Sequence, residues 1–95
     1  MHEFLINCPD EDWALPFAKW DEVFRPNTIP FKRIPGVEYR IEVAGVPIYF
    51  ADESPGIQVC VEGELADAVA RQIVDEVLDN LQRLTGQTGH VIDIG

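Results

Sequence analysis

Cys60, His90 and Asp93 supply a thiol, an imidazole and a carboxylate, the groups of a thiolate nucleophile with its base and an orienting acid. A reactive thiolate needs that base close by and some exposure to solvent. The strands expected around Cys60 and His90 could be neighbours, which makes the trio conceivable. Cys60, however, alternates with Val59 and Val61, the setting of a half-buried structural thiol. Ser54, the single serine, precedes a proline in a turn, and the chain has neither a Gly-x-Ser-x-Gly elbow nor a phosphate-cradling glycine loop. Asp10-Glu11-Asp12 gathers hard-oxygen groups without the spacing and glycine of a calcium loop. The two histidines and two cysteines lie too far apart for zinc-site spacing. The acidic run reads as a solvated stretch that favours a helix N-terminus just before Trp13. These residue types predict no catalytic centre, no metal and no cofactor: a binding protein rather than an enzyme.

Charge sharpens that reading. The chain carries 17 acidic and 7 basic residues among 95, a net charge of -10. Up to Pro35 the balance is nearly even, with six acids and four basic residues, and from Gly36 onward eleven acids face three arginines. The acidity therefore sits on the later elements. Nucleic-acid binding needs a basic stripe to release counterions, and the only basic concentration is Lys32-Arg33 with Arg25 and Lys19 nearby. Basic proteins are the favoured partners, and nucleic acid and anionic membrane are disfavoured. With 46% hydrophobic residues the chain is too apolar for a disordered acidic tail. No run approaches the ~18–20 apolar residues of a membrane span. The N-terminus, with Glu3 and a short apolar run, lacks the features of a signal peptide. That places the chain in the cytoplasm, with Cys8 and Cys60 as buried thiols rather than a disulfide.

These groups need elements to hold them, and the length fits one domain over residues 1–95. Leu65, Val69, Ile73, Val77, Leu81 and Leu84 recur at helical spacing and predict a long helix from Glu64 to Thr85, stopped by Gly86. Asp67–Arg71, Arg71–Asp75 and Asp79–Arg83 are spaced to pair along its solvent face. Val37–Val43, Val46–Phe50 and Ile57–Glu62 read as strands joined by turns at Ala44-Gly45 and Ser54-Pro55-Gly56. His90–Ile94 adds a strand after the helix, and Phe4-Leu5-Ile6 reads as an edge strand. A right-handed crossover would make the last strand parallel to Ile57–Glu62. Pro47 weakens a central placement for its strand or implies that its N–H side is free. The expected fold is α+β: a mainly antiparallel sheet of four or five strands with one long helix on one face, in the order β-(short α)-β-β-β-α-β. Tyr39, Ile41, Val43, Ile48, Phe50, Ile57, Val59 and Val61 should face the helix. Glu38, Arg40, Glu42, Tyr49, Gln58, Cys60 and Glu62 should face away.

The stretch from Cys8 to Gly36 is broken by five prolines and leaves room for one short helix from Pro16 to Phe24. Its aromatics, with Trp13, Phe17, Trp20 and Phe24 as the set, admit two readings. One is a second small core over the outer sheet face, covering Tyr49, Ala51 and Cys60 in a third layer. The other is an exposed anchor patch for a partner. In size, acidity and poverty of catalytic residues the chain resembles the small acidic immunity proteins of bacterial toxin systems. That resemblance implies an inhibitor that occludes a cognate, basic toxin domain. The candidate partner contacts are Glu38, Glu42, Tyr49, Asp52, Glu53, Glu62, Asp75 and Asp79. The alternative is a structural or regulatory subunit that self-associates through a strand edge or the aromatic patch.

Overall fold

A computed structural model describes residues 1–9 and 11–95, and the fold is α+β. Among the described residues, strand β1 (His2–Asn7) is followed by a 3-10 turn (Phe17–Lys19) running into α1 (Trp20–Val23). Then come β2 (Lys32–Ile34), β3 (Tyr39–Val43), β4 (Val46–Glu53), β5 (Gly56–Val61), the long helix α2 (Asp67–Thr85) and β6 (His90–Asp93). The strands form one six-stranded sheet in the order β2-β3-β4-β5-β1-β6, and every neighbouring pair is antiparallel.

Alternation places the core. Tyr39, Ile41, Val43, Ile48, Phe50, Ile57, Val59 and Val61 are all buried, as their period-two spacing predicts. They form one core with Ile73, Val74, Val77 and Leu81 of α2. The helix begins at Asp67, three residues later than expected, because Leu65 packs on the core from an extended segment. It stops at Gly86, whose φ of 75° is the left-handed conformation that glycine adopts without strain. Pro47 does lie in an interior strand, at its second position, where the loss of one N–H is tolerated; its carbonyl still accepts the Glu62 N–H at 2.9 Å.

Two expectations about strand number and order are corrected. The sheet has six strands, not four or five: Lys32–Ile34, flanked by Pro30 and Pro35, is too short to show a period but pairs with β3. Phe4-Leu5-Ile6 belongs to an interior strand, inserted between β5 and β6. Strand β6 does run parallel to β5, since both are antiparallel to β1, but the two are not neighbours.

A third correction decides where the free surface lies. The aromatic segment does not cover the outer face of the sheet. Phe24 is fully buried and stacks on Phe50 at 4.9 Å with the rings 2° from parallel, and Phe50 points to the helix side. The segment therefore shares that side with α2, and the molecule has two layers. Trp13 is also core: its indole N–H donates to the Ile6 carbonyl at 2.9 Å, and its ring lies where a Cβ on Gly89 would stand. No helix begins at Trp13, and Asp10 lies outside the described residues. Cys8 and Cys60 are both buried, and no disulfide joins them. Among the described residues no helix is long and apolar enough to cross a membrane.

Ile73 is 1% exposed at the centre of the helix–sheet contact. Replacing it with alanine removes buried methylenes and leaves a cavity, a loss expected at about 2–5 kcal/mol. A denaturant melt that shifts by less than about 1 kcal/mol would place the core contact elsewhere on α2.

Candidate functional site

With both helices on one side, the other side of the sheet is uncovered. Strand register lays Ile34, Arg40, Tyr49, Cys60 and Glu3 in one row across it. Arg40 is the hub of that row. Its Nη1 is 2.5 Å from the Glu38 carboxylate, its Nε is 2.6 Å from that of Glu62, and its guanidinium lies 4.8 Å over the Tyr49 ring. The hydrogen bonds that Arg40 donates to Glu62 and then to Glu38 raise its pKa further above its ordinary value. Glu38, Tyr49 and Glu62 therefore meet at Arg40, and the two carboxylates share that one cation. Glu42 lies in the next row, opposite Lys32 and Pro47, and is half-buried.

At one end of this sheet β3 stops short. Its last pair with β4 is Tyr39 with Phe50, while β4 continues through Ala51, Asp52 and Glu53 paired only with β5. The cause is in the sequence: the chain leaves β2 through the turn at Pro35-Gly36 and enters β3 only at Tyr39, so no residue before it pairs with the end of β4. The gap is a cleft of about 320 Å³ lined by Phe17, Trp20, Val37, Glu38, Tyr39, Tyr49 and the end of β4. Phe17 and Trp20 are in tilted contact, with ring centroids 4.8 Å apart, and Trp20 meets Tyr39 edge-on at 5.9 Å. The Tyr39 hydroxyl donates to Asp21 at 2.5 Å. Burial, then that hydrogen bond, pushes its pKa up to about 12. Phe17 is 77% exposed and Val37 fully so, which is unusual for large apolar side chains so close together. Asp52 and Glu53 are exposed at the rim, with no ion pair or hydrogen bond from any side chain among the described residues. The aromatic set thus divides: Trp13 and Phe24 are core, Trp20 is half-buried, and Phe17 is surface.

Asp75 and Asp79 lie elsewhere, on the solvent side of α2. Arg71 Nε pairs with Asp75 at 2.9 Å, the one expected helix pair that forms. Arg83 bonds Asn80 at 2.9 Å rather than Asp79, and Asp67 lies 3.7 Å from His2. The eight candidate contacts therefore occupy two sides of the molecule. Glu38, Tyr49, Asp52 and Glu53 converge on one cleft; Asp75 and Asp79 do not reach it.

The thiol trio does not assemble. Strand β1 separates Cys60 from His90, so Cys60 stands opposite Glu3 and His90 opposite Asn7. Burial and then the charge of Glu3, whose carboxylate is 3.9 Å away, raise the Cys60 pKa and disfavour its thiolate. Asp93 instead bonds His2 at 2.8 Å, and that hydrogen bond lowers its pKa.

Glu76 and Asn80 were not legible as special residues. Glu76 reads as one more acid on a solvated helix face, yet its carboxylate accepts from the N–H groups of Asn27 (2.5 Å) and Thr28 (2.8 Å). It also accepts from the Thr28 hydroxyl (2.6 Å) and the Gln72 amide (3.0 Å). Asn80, fully buried, donates to the carbonyls of Val23 and Arg25 at 3.2 and 3.0 Å. Together they tie the proline-rich segment to α2. No local signal marks contacts made across some fifty positions. Desolvation opposes ionisation of Glu76, but the bonds from Thr28, Gln72 and Asn27 outweigh it and hold the pKa down at about 2.

A depressed folded-state pKa gives stability that is present above the unfolded value and lost as pH falls through the folded one. The advantage of the parent over Glu76→Gln should be complete above the ordinary carboxyl pKa of 4.5 and shrink between there and about 2. Paired denaturant melts across that range measure it. A gap that stays constant through the acid range would show that the charge of Glu76 does not hold the segment.

Comparison with protein-family models, with curated proteins and with solved structures finds no match for this chain.

Proposed function

We propose that this chain is a cytoplasmic protein-binding inhibitor that neutralises a basic partner by covering part of its surface, in the manner of the small acidic immunity proteins. The observation that carries the reading is the cleft at the end of the sheet, where exposed aromatic and apolar groups meet carboxylates left without an internal cation. Aromatic faces and carboxylates both attract ammonium and guanidinium groups. A net charge of -10 adds long-range attraction for a basic surface. Asp75 and Asp79 contribute to that field from the opposite side without touching the same partner surface.

The test is the association rate of the captured native partner as a function of salt. Long-range attraction is screened over about 8–10 Å at physiological ionic strength, so raising salt should slow association more than it speeds dissociation. Asp52→Lys with Glu53→Lys should slow association about tenfold while leaving the thermal midpoint unchanged, because both residues are exposed and unpaired. A rate that is flat with salt removes the electrostatic part of the proposal.

Self-association has one observation in its favour. Strand β6 is an outer strand, and Ile92 and Ile94 are 40% and 53% exposed beside its free edge. Two-fold pairing of β6 with its copy, centred on Ile92, would place Ile92 against Ile92 on the uncovered face. Solution mass separates the readings: a dimer abolished by Ile92→Lys favours a self-associating subunit, and a monomer at every concentration removes it.

A further inference from the structure

We infer that the free β4 edge at Ala51–Glu53 is a docking notch in which an extended, basic segment of a partner protein adds as a short strand. The inference rests on the proposed binding of basic proteins and names how and where it occurs. Three independent features meet at this notch.

The first is backbone. Ala51–Glu53 pair with β5 on one side and with no strand on the other, so about 10 Å of strand edge is open to a new pairing. The outer edge at β2 is less receptive. Strand β2 offers three residues, carries Lys32 and Arg33, and is flanked by prolines, the features that guard an edge.

The second is shape. The edge forms one wall of the cleft, so an added strand would meet apolar surface on both of its faces. On the helix side stand Phe17 and Trp20, and on the uncovered side stands Tyr49. Alternate side chains of an incoming strand point to those two surfaces. The full exposure of Val37 and the 77% exposure of Phe17 are what an anchor for such a segment requires.

The third is charge. Glu38, Asp52 and Glu53 rim the notch, and only Glu38 is paired within the chain. Lysine or arginine in the incoming segment would complete those pairs. A second copy of this chain is a poor occupant, since its own Lys32-Arg33 is already committed to β2 and it brings a further net charge of -10. Nucleic acid is repelled by the same rim.

Amide chemical-shift mapping of the full chain by NMR tests the notch with a capped nonapeptide of alternating lysine and valine. Shifts are expected at Ala51, Asp52, Glu53 and Val37 and at the Trp20 indole, with slowed amide exchange along β4. Two further peptides separate the contributions: one N-methylated at every second backbone nitrogen, and one with glutamate for lysine. Each should bind about tenfold more weakly or worse, as should Phe17→Ala and Asp52→Lys with Glu53→Lys, with the spectra showing an intact fold. Equal binding of the N-methylated peptide overturns strand addition. Shifts confined to Asp75 and Asp79 overturn the notch while leaving the preference for basic proteins standing. Equal binding of the glutamate peptide at the notch overturns the basic segment as occupant. No shift with any peptide at millimolar concentration overturns both readings.

Discussion

The attachment of the proline-rich segment to α2 through Glu76 and Asn80 is the constraint on which the rest of the surface depends. A segment broken by five prolines cannot satisfy its own backbone with a regular ladder. Two helix side chains one turn apart do much of that work, accepting the Asn27 and Thr28 N–H groups and donating to the Val23 and Arg25 carbonyls. Asn80 is the buried member: a buried polar group is worth little when satisfied and costs about 1–3 kcal/mol when orphaned, so it specifies one placement of the segment. Phe24 then has only one place to go, against Phe50 and Tyr39 on the helix side.

That placement determines which side of the sheet is left open. Had the aromatics crossed to the outer side, Tyr49, Ala51 and Cys60 would form a second core. Instead Ala51 and Cys60 are almost fully covered on the open side. The row that holds Cys60 provides part of that cover. The Arg40 guanidinium lies 4.8 Å over the Tyr49 ring while bonded to Glu38 and Glu62, so one side chain shields apolar surface and pairs with two acids. The consequence for binding is a division of labour: the middle of the sheet is electrostatically closed, and unpaired carboxylates remain at its end.

The residues that alternate or recur at helical spacing were legible because periodicity reports burial directly. The inward set from Tyr39 to Val61 and the Ile73, Val77 and Leu81 stripe are where the pattern puts them. What was not legible depends on pairing over long distances. A three-residue strand carries no period, and nothing in Phe4-Leu5-Ile6 tells an interior strand from an edge when its partners lie more than fifty and eighty positions away. The side of the sheet chosen by Phe24 depends on Glu76 and Asn80, which look like any solvated helix face. At the candidate site, Glu38, Tyr49, Asp52 and Glu53 were legible as exposed groups. The cleft that unites them was not, because it exists only where β3 falls short of β4.

An open strand edge beside exposed aromatics is ordinarily a hazard, since it offers a template for aggregation as readily as for recognition. Charge resolves the conflict in this chain. Every copy carries the same carboxylates at the notch and the same net charge of -10, so two copies approaching edge to edge meet like charge at close range. A basic segment meets the opposite sign at the same place. On the proposed reading, the acidity acts as a selector at the open β4 edge. That connects the uneven distribution of acids along the chain with the incomplete strand in the fold: eleven of the seventeen follow Pro35, on the elements that frame the open edge and on the helix behind them.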